Sequence, residues 1–250
     1  PLEPRFARLL LAGKENNCVA ETAFIASAVQ GEGIFINKRG GVSRKDFIYP
    51  DDDTDFAGEY RAFDGAAGMN FDPQRCSQLG VHGRAARETA QSLDRLLSLA
   101  KNFGWQINRI DFAKNHEAIG KATLAAFSDQ LAIRFSQGTL ACKLVGNRRG
   151  KLDEESCVKN AAAFVASEIT EVEAREVITH IKRATAIDPA WLIELFPDDI
   201  SQTDGAAYDE SRRRVVSRKQ TVFRDLVLES KESDHNVNLD KAAEILAARV

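Results

Sequence analysis

Arg175-Glu-Val-Ile-Thr-His-Ile-Lys-Arg-Ala-Thr-Ala-Ile-Asp-Pro-Ala-Trp-Leu-Ile-Glu-Leu-Phe196-Pro197 and, after a polar interval, Tyr208-Asp-Glu-Ser-Arg-Arg-Arg-Val-Val-Ser-Arg-Lys-Gln-Thr-Val-Phe223 form the stretch whose reading decides the fold. Its first part alternates: Val177, Thr179 and Ile181 fall on one face, and Ile178, His180 and Lys182 on the other, the two-residue period of a strand. A helix should follow. Asp188 suits the N-cap, Pro189 the first helical position, and Trp191, Leu192, Leu195 and Phe196 supply an apolar face that Pro197 ends. Trp191 is expected to pack on the barrel rather than stack on a ligand. Asp209-Glu210-Ser211 then turns the chain into a hairpin whose second strand runs from Arg212 through Val215, Val216, Thr221 and Val222.

Upstream, Thr139 to Val145, Ala162 to Ile169 and Glu176 to Lys182 have strand length and are parted by a Gly146-Asn147 turn and an acidic Glu171-Val172-Glu173 loop, which suggests a small barrel. Further upstream the period is helical. Pro4 to Leu11 carries Phe6, Leu9 and Leu10 inward with Gly13 as its stop; a second helix, capped at Asn16 or Asn17, ends at Gly31. From Arg84 to Phe103 apolar residues recur at three and four (Ala86, Ala90, Leu93, Leu96, Leu97, Ala100), and Glu117 to Phe127 continues in kind. Between Gly31 and Asp55 lies an exposed loop. Its Asp51-Asp52-Asp53 triplet lacks the spaced ligands and sharp glycine turn of a calcium loop and reads as solvated.

The 34 basic and 37 acidic residues give a net charge of −3, which excludes a protein that coats nucleic acid by bulk electrostatics and leaves only local patches for that task. Cys18, Cys76, Cys142 and Cys157 are scattered without zinc or redox spacing and read as reduced core thiols. With no signal peptide and no apolar run of membrane-spanning length, a cytoplasmic location without membrane contact is expected. The start at Pro1 and an apparent helix from Asp240 to Val250 suggest an excised piece of a longer chain.

At Asp188, Trp191, Leu192, Leu195, Phe196, Pro197, Tyr208, Asp209, Glu210 and Val215-Val216 the chain resembles the helicase-associated region of bacterial ATP-dependent helicases of the HrpB family, DEAH-type relatives of RNA helicases. Pro1, Leu2, Pro4, Arg5, Ala7 and Leu10 are similar to the segment where that family enters its ratchet domain. Weaker likeness covers Asp55 to Phe63, Cys76 with Arg84, and Ser128 to Ala132, with His82 in place of an asparagine and Ser128 in place of a proline. The resemblance implies an α+β chain: a ratchet-like helical domain over 1–132, an OB-like β-barrel over 133–200, and a C-terminal β-hairpin extension over 201–250. It also implies single-stranded nucleic acid, RNA in particular, and the motor domains of the same polypeptide as partners. ATP and Mg²⁺ would belong to those motor domains, and this region would need no cofactor of its own.

The residues agree that no motor is present. Gly146-Asn-Arg-Arg-Gly150-Lys151 is the nearest thing to a phosphate loop; its glycine spacing is short, and Leu152 stands where a Mg²⁺-binding hydroxyl belongs. His82, His116, His180 and His235 lie in unrelated contexts, no Gly-x-Ser-x-Gly elbow occurs, and Asp153-Glu154-Glu155 reads as a solvated turn, so no catalytic or metal residue is expected. Two basic clusters remain. Lys143, Arg148, Arg149 and Lys151 crowd the first barrel hairpin, and with Arg84 and Arg87 on the long helix they are the candidate nucleic-acid contacts. Arg212, Arg213, Arg214, Arg218 and Lys219 form the other cluster, partly offset by Asp209 and Glu210. A rival reading is a docking module that packs on the motor domains or a partner and never touches nucleic acid. A basic groove supports the first reading and an exposed apolar patch the second.

Overall fold

The computed structural model describes residues 2–36, 41–173, 177–210, 212–234, 243 and 246–248, the side chains of 172, 173, 177 and 178 aside. The chain forms two compact units, one of residues 1–144 and 148–187, the other of 145–147 and 188–250. The expected Asp240–Val250 helix falls largely outside the described residues.

Among the described residues the first unit opens with the α-helices α1 (Pro4–Glu15), α2 (Val19–Gln30), α3 (Asp55–Gly68), α4 (Pro73–Gln78), α5 (Gly83–Asn102) and α6 (His116–Phe127). Helix α2 is buried almost all round, from Val19 to Ala28, because α1, α5 and α6 pack about it. Phe24 from α2 anchors an aromatic cluster, with ring centroids 5.1, 5.3 and 6.0 Å from those of Tyr60, Phe63 and Phe112. Gly13 does not stop α1, contrary to the sequence reading. The helix runs on to Glu15, and a Cβ at Gly13 would lie 2.1 Å from Thr22 Oγ1, so glycine is there to let α1 and α2 cross closely. The turn falls instead at Asn17, whose φ is +57°.

A closed barrel follows, made of β1 (Leu131–Arg134), β2 (Ala141–Leu144), β3 (Arg148–Leu152), β4 (Ala163–Glu173) and β5 (Val177–Ala186) in the order β1-β2-β3-β5-β4. All neighbours are antiparallel except β3 and β5, and β4 returns to pair with β1. Ala132, Cys142, Leu144, Leu152, Phe164, Ala166, Ile181 and Ala184 fill the interior. Gly150 points inward among them, where an added Cβ would meet Leu144 Cδ1 at 2.4 Å and Cys142 Sγ and Ile181 Cδ1 at 3.1 Å. Those neighbours are fully buried and cannot retreat. Gly150→Ala should therefore destabilise by about 1–3 kcal/mol through overpacking; a urea midpoint equal to that of the parent protein would refute it.

The helical segment and the barrel share this unit because α3 is bonded into the barrel wall. The Asp55 carboxylate, 0% exposed, accepts from Ser156 Oγ (2.9 Å), Cys157 N (2.8 Å) and Ala184 N (2.7 Å), and the Arg44 guanidinium lies 2.9 Å away. One helical turn on, Glu59 receives a fork from buried Arg183 at 2.8 and 3.0 Å. Arg183 also donates to the Ala28 carbonyl at 2.8 Å and pairs with Glu168 at 3.1 Å.

The second unit holds α7 (Ala190–Leu195) and an antiparallel sheet of β6 (Ile200–Asp209), β7 (Arg214–Phe223) and β8 (Leu226–Ser233) in that order. The extension is therefore three-stranded, one strand more than the hairpin read from the sequence. Leu192, Ala207, Val216, Phe223 and Leu226 are its buried apolar residues among those described, with Phe196 edge-on to Phe223 at 5.9 Å. Trp191 is only half-buried, so the packing expected of it falls on its neighbour Leu192.

Candidate nucleic-acid interface

The pleat of β1, β2 and β3 sorts the basic residues of the first cluster. Ala132, Cys142, Leu144, Gly150 and Leu152 take the inward phase, so the alternate positions face out. The register then lays two rows across the outer surface. Ile133 pairs with Lys143, and Lys143 with Arg149, in one row. In the next, Phe135 donates its N–H to the Ala141 carbonyl at 3.2 Å, Ala141 pairs with Lys151, and Lys151 with the exposed His180. Lys143, Arg149 and Lys151 thus share one face across adjacent strands.

Arg148 belongs to the other phase. It pairs with Leu144 across the hairpin, and its guanidinium donates to the Asp129 carbonyl at 2.9 Å, so the pleat sets it apart from Arg149 and Lys151. Lys151 Nζ lies 3.2 Å from Glu154, an exposed pair that water and salt screen readily. Arg84 and Arg87 stand on α5, which packs on α2, α3 and α4. The Arg84 side chain is 85% exposed and pairs with Glu88 one turn on, while Arg87 donates to the Asn70 carbonyl at 3.0 Å.

Sequence reasoning missed Phe135. It is 59% exposed, one residue past the end of β1, and with Gly138, Thr139, Ala141, Arg149 and Lys151 it lines an open cavity of about 750 Å³. The strand end that carries it is pinned from below. Arg134 is buried and donates to the carbonyls of Ala161 (3.0 Å), Val158 (2.9 Å) and Thr139, with its guanidinium over the Phe164 ring. Burial pushes the Arg134 pKa down from its ordinary value.

The hairpin turn does not fit a nucleotide. Gly146 and Asn147, both at positive φ, donate their N–H groups to the Asp225 carboxylate at 3.1 and 2.6 Å, so the amides that would cradle a phosphate already hold an anion. In the second unit the other basic cluster is interleaved with acids. Arg212 and Arg214 reach Asp234 at 3.7 and 2.6 Å, Arg218 reaches Glu232 at 2.7 Å, and Lys219 lies 3.9 Å from Asp204. Cys18 and Cys142 are buried free thiols. Burial pushes Cys18 up to about 12 and Cys142 up to about 11, and burial together with Asp55 raises Cys157 too. Among the described residues no group of His, Cys, Asp and Glu is placed to hold a metal ion, and no helix is long and apolar enough to cross a membrane.

Residues 3–78 match the family model described as helicase associated domain (HA2), ratchet-like. The chain is also similar in fold to the crystal structure of E. coli DExH-box NTPase HrpB, with a TM-score of 0.55 and 16% identity over 96% of this chain and 24% of that one. It spans about a quarter of that protein's length. Residues 3–78 thus carry the likeness to the ratchet-like HA2 model, and the helices, closed barrel and separate sheet share their fold with a DExH-box NTPase.

Proposed function

We propose that this chain is the nucleic-acid-guiding accessory region of an ATP-dependent, DEAH-type helicase, with no catalytic activity or cofactor of its own. The observation that carries the reading is the cluster of cations on the barrel's outer face, with Lys143 and Arg149 in one row and Lys151 in the next, a surface that suits the phosphates of a single strand. Strand order β1-β2-β3-β5-β4 with β3 parallel to β5 supports reading the barrel as OB-like, a kind of barrel often used for single strands. Arg148 would contribute from the barrel end, and Arg84 and Arg87 from α5. The motor domains of the same polypeptide would hydrolyse ATP with Mg²⁺ in the cytoplasm, and RNA is the strand the reading favours.

Binding by this chain alone should be weak, because a net charge of −3 supplies no long-range attraction. It should also fade with salt, each phosphate contact adding about 0.7 to the slope of log affinity against log salt. Arg149→Glu combined with Lys151→Glu removes two contacts, so the slope should fall by about 1.4 while the barrel stays folded. Fluorescence anisotropy with a labelled single-stranded RNA at several salt concentrations measures this. An unchanged slope, or no binding by the parent protein at low salt, sinks the reading.

One observation favours docking as a second role. Leu2, Leu10, Leu11, Leu99, Phe103 and Trp105 line a wholly apolar groove of about 370 Å³ on the helical segment, with Leu11, Leu99 and Phe103 exposed. The occupant it would take is the motor-domain portion of such a helicase, since this chain accounts for about a quarter of the comparable protein.

A further inference from the structure

We infer that Phe135 is a base-stacking position, and that it lets the barrel face select an unpaired nucleobase over bare phosphate backbone. The inference rests on the reading of that face as a nucleic-acid contact and adds to it the part of the ligand being recognised. Neighbouring strands lie about 4.8 Å apart, so Phe135 and Lys151, with Ala141 between them, stand about 10 Å apart along one row. Ala141 puts only a methyl group into that interval, which opens a slot walled by an aromatic ring on one side and a cationic side chain on the other. A planar base fits such a slot face-on to the ring, and its own phosphate then falls toward Lys151 and Arg149 in the adjacent row.

Two features argue for a built platform rather than a stray exposed side chain. Gly138, at φ +81°, makes the turn that follows Phe135, and the ring stays 59% exposed. Beneath it, buried Arg134 ties β1 to the loop carbonyls of Thr139, Val158 and Ala161, which fixes the backbone from which the ring projects. A ring held in place before binding loses little freedom on stacking.

The test compares a labelled single-stranded RNA with an abasic strand of the same length and with a duplex, each titrated by anisotropy against the parent protein, Phe135→Ala and Phe135→Trp. One stacked base should favour the normal strand over the abasic strand by roughly tenfold. Phe135→Ala should erase that preference while leaving the salt slope unchanged, and Phe135→Trp should restore it. The duplex, whose bases are already stacked, should bind like the abasic strand. Salt-dependent binding without base preference in the parent protein, or a preference that survives Phe135→Ala, overturns this inference alone. Absence of binding by any oligonucleotide overturns the phosphate reading along with it.

Discussion

Replacing Asp55 by alanine should destabilise the first unit by about 3–5 kcal/mol, the scale of loss when one member of a buried charged group is removed and its partners stay behind. Three donors would lose their acceptor at once: Ser156 Oγ, Cys157 N and Ala184 N, at 2.9, 2.8 and 2.7 Å. Arg44 would remain as a nearly buried cation. Its Nε and Nη2 already lack a well-aligned hydrogen bond although Nη2 is 2.9 Å from the carboxylate, so its hold on Asp55 is mainly charge attraction. Adding Arg44→Met to Asp55→Ala should therefore recover part of the loss. Hydrogen exchange at the Ala184 and Cys157 amides reports the site directly and should quicken in Asp55→Ala. Protection equal to that of the parent protein would show that these bonds are replaced without penalty.

Arg183→Ala should weaken the same unit by about 3–5 kcal/mol, for it leaves the buried Glu59 carboxylate without the guanidinium that bonds it. Arg183 sits at φ +52°, a conformation that costs about 1 kcal/mol or more for a non-glycine residue and persists only where the surroundings impose it. Glu59, Glu168 and the Ala28 carbonyl are those surroundings. The informative comparison is a double-mutant cycle on urea midpoints. Glu59→Gln with Arg183→Met should be milder than either change alone, because the pair leaves together. Additive losses would show that the two side chains act independently.

The parts of this fold that were legible in the sequence are those with a local cause. The apolar spacing of α5, the alternation of Thr179 to Lys182 and the basic hairpin at Arg148 each declare themselves within a few residues. Alternation fails just after Lys182, where Arg183, Ala184 and Thr185 are all buried, since here α3 covers the outer face of β5 while the barrel covers the inner one. Asp55 and Glu59 carry no local sign of their role; their partners lie more than a hundred residues on, beyond any local pattern. β8 was missed because its later residues are polar and exposed and show no apolar alternation. At the candidate site, nearness along the chain grouped Arg148 with Arg149 and Lys151, and the two-residue pleat divides them. Phe135 had a usable signal. Counting outward positions from Ile133 past Arg134 and across the hairpin to Lys151 places it on the cationic face, but that step needs the register, which no single strand supplies.

Arg183 also bears on how such a region could be moved from one protein to another. The segment recognisable as HA2, residues 3–78, includes both Asp55 and Glu59, whereas Ser156, Cys157, Arg183 and Ala184, which hold them together with Arg44, lie a hundred residues and more downstream. A graft cut at the edge of recognisable similarity would carry two acids into a new host and leave their counterparts in the donor. The portable module is therefore larger than the recognisable one: it extends at least to Arg183 and Ala184, and a swap between relatives keeps its charge balance only when helices and barrel travel together.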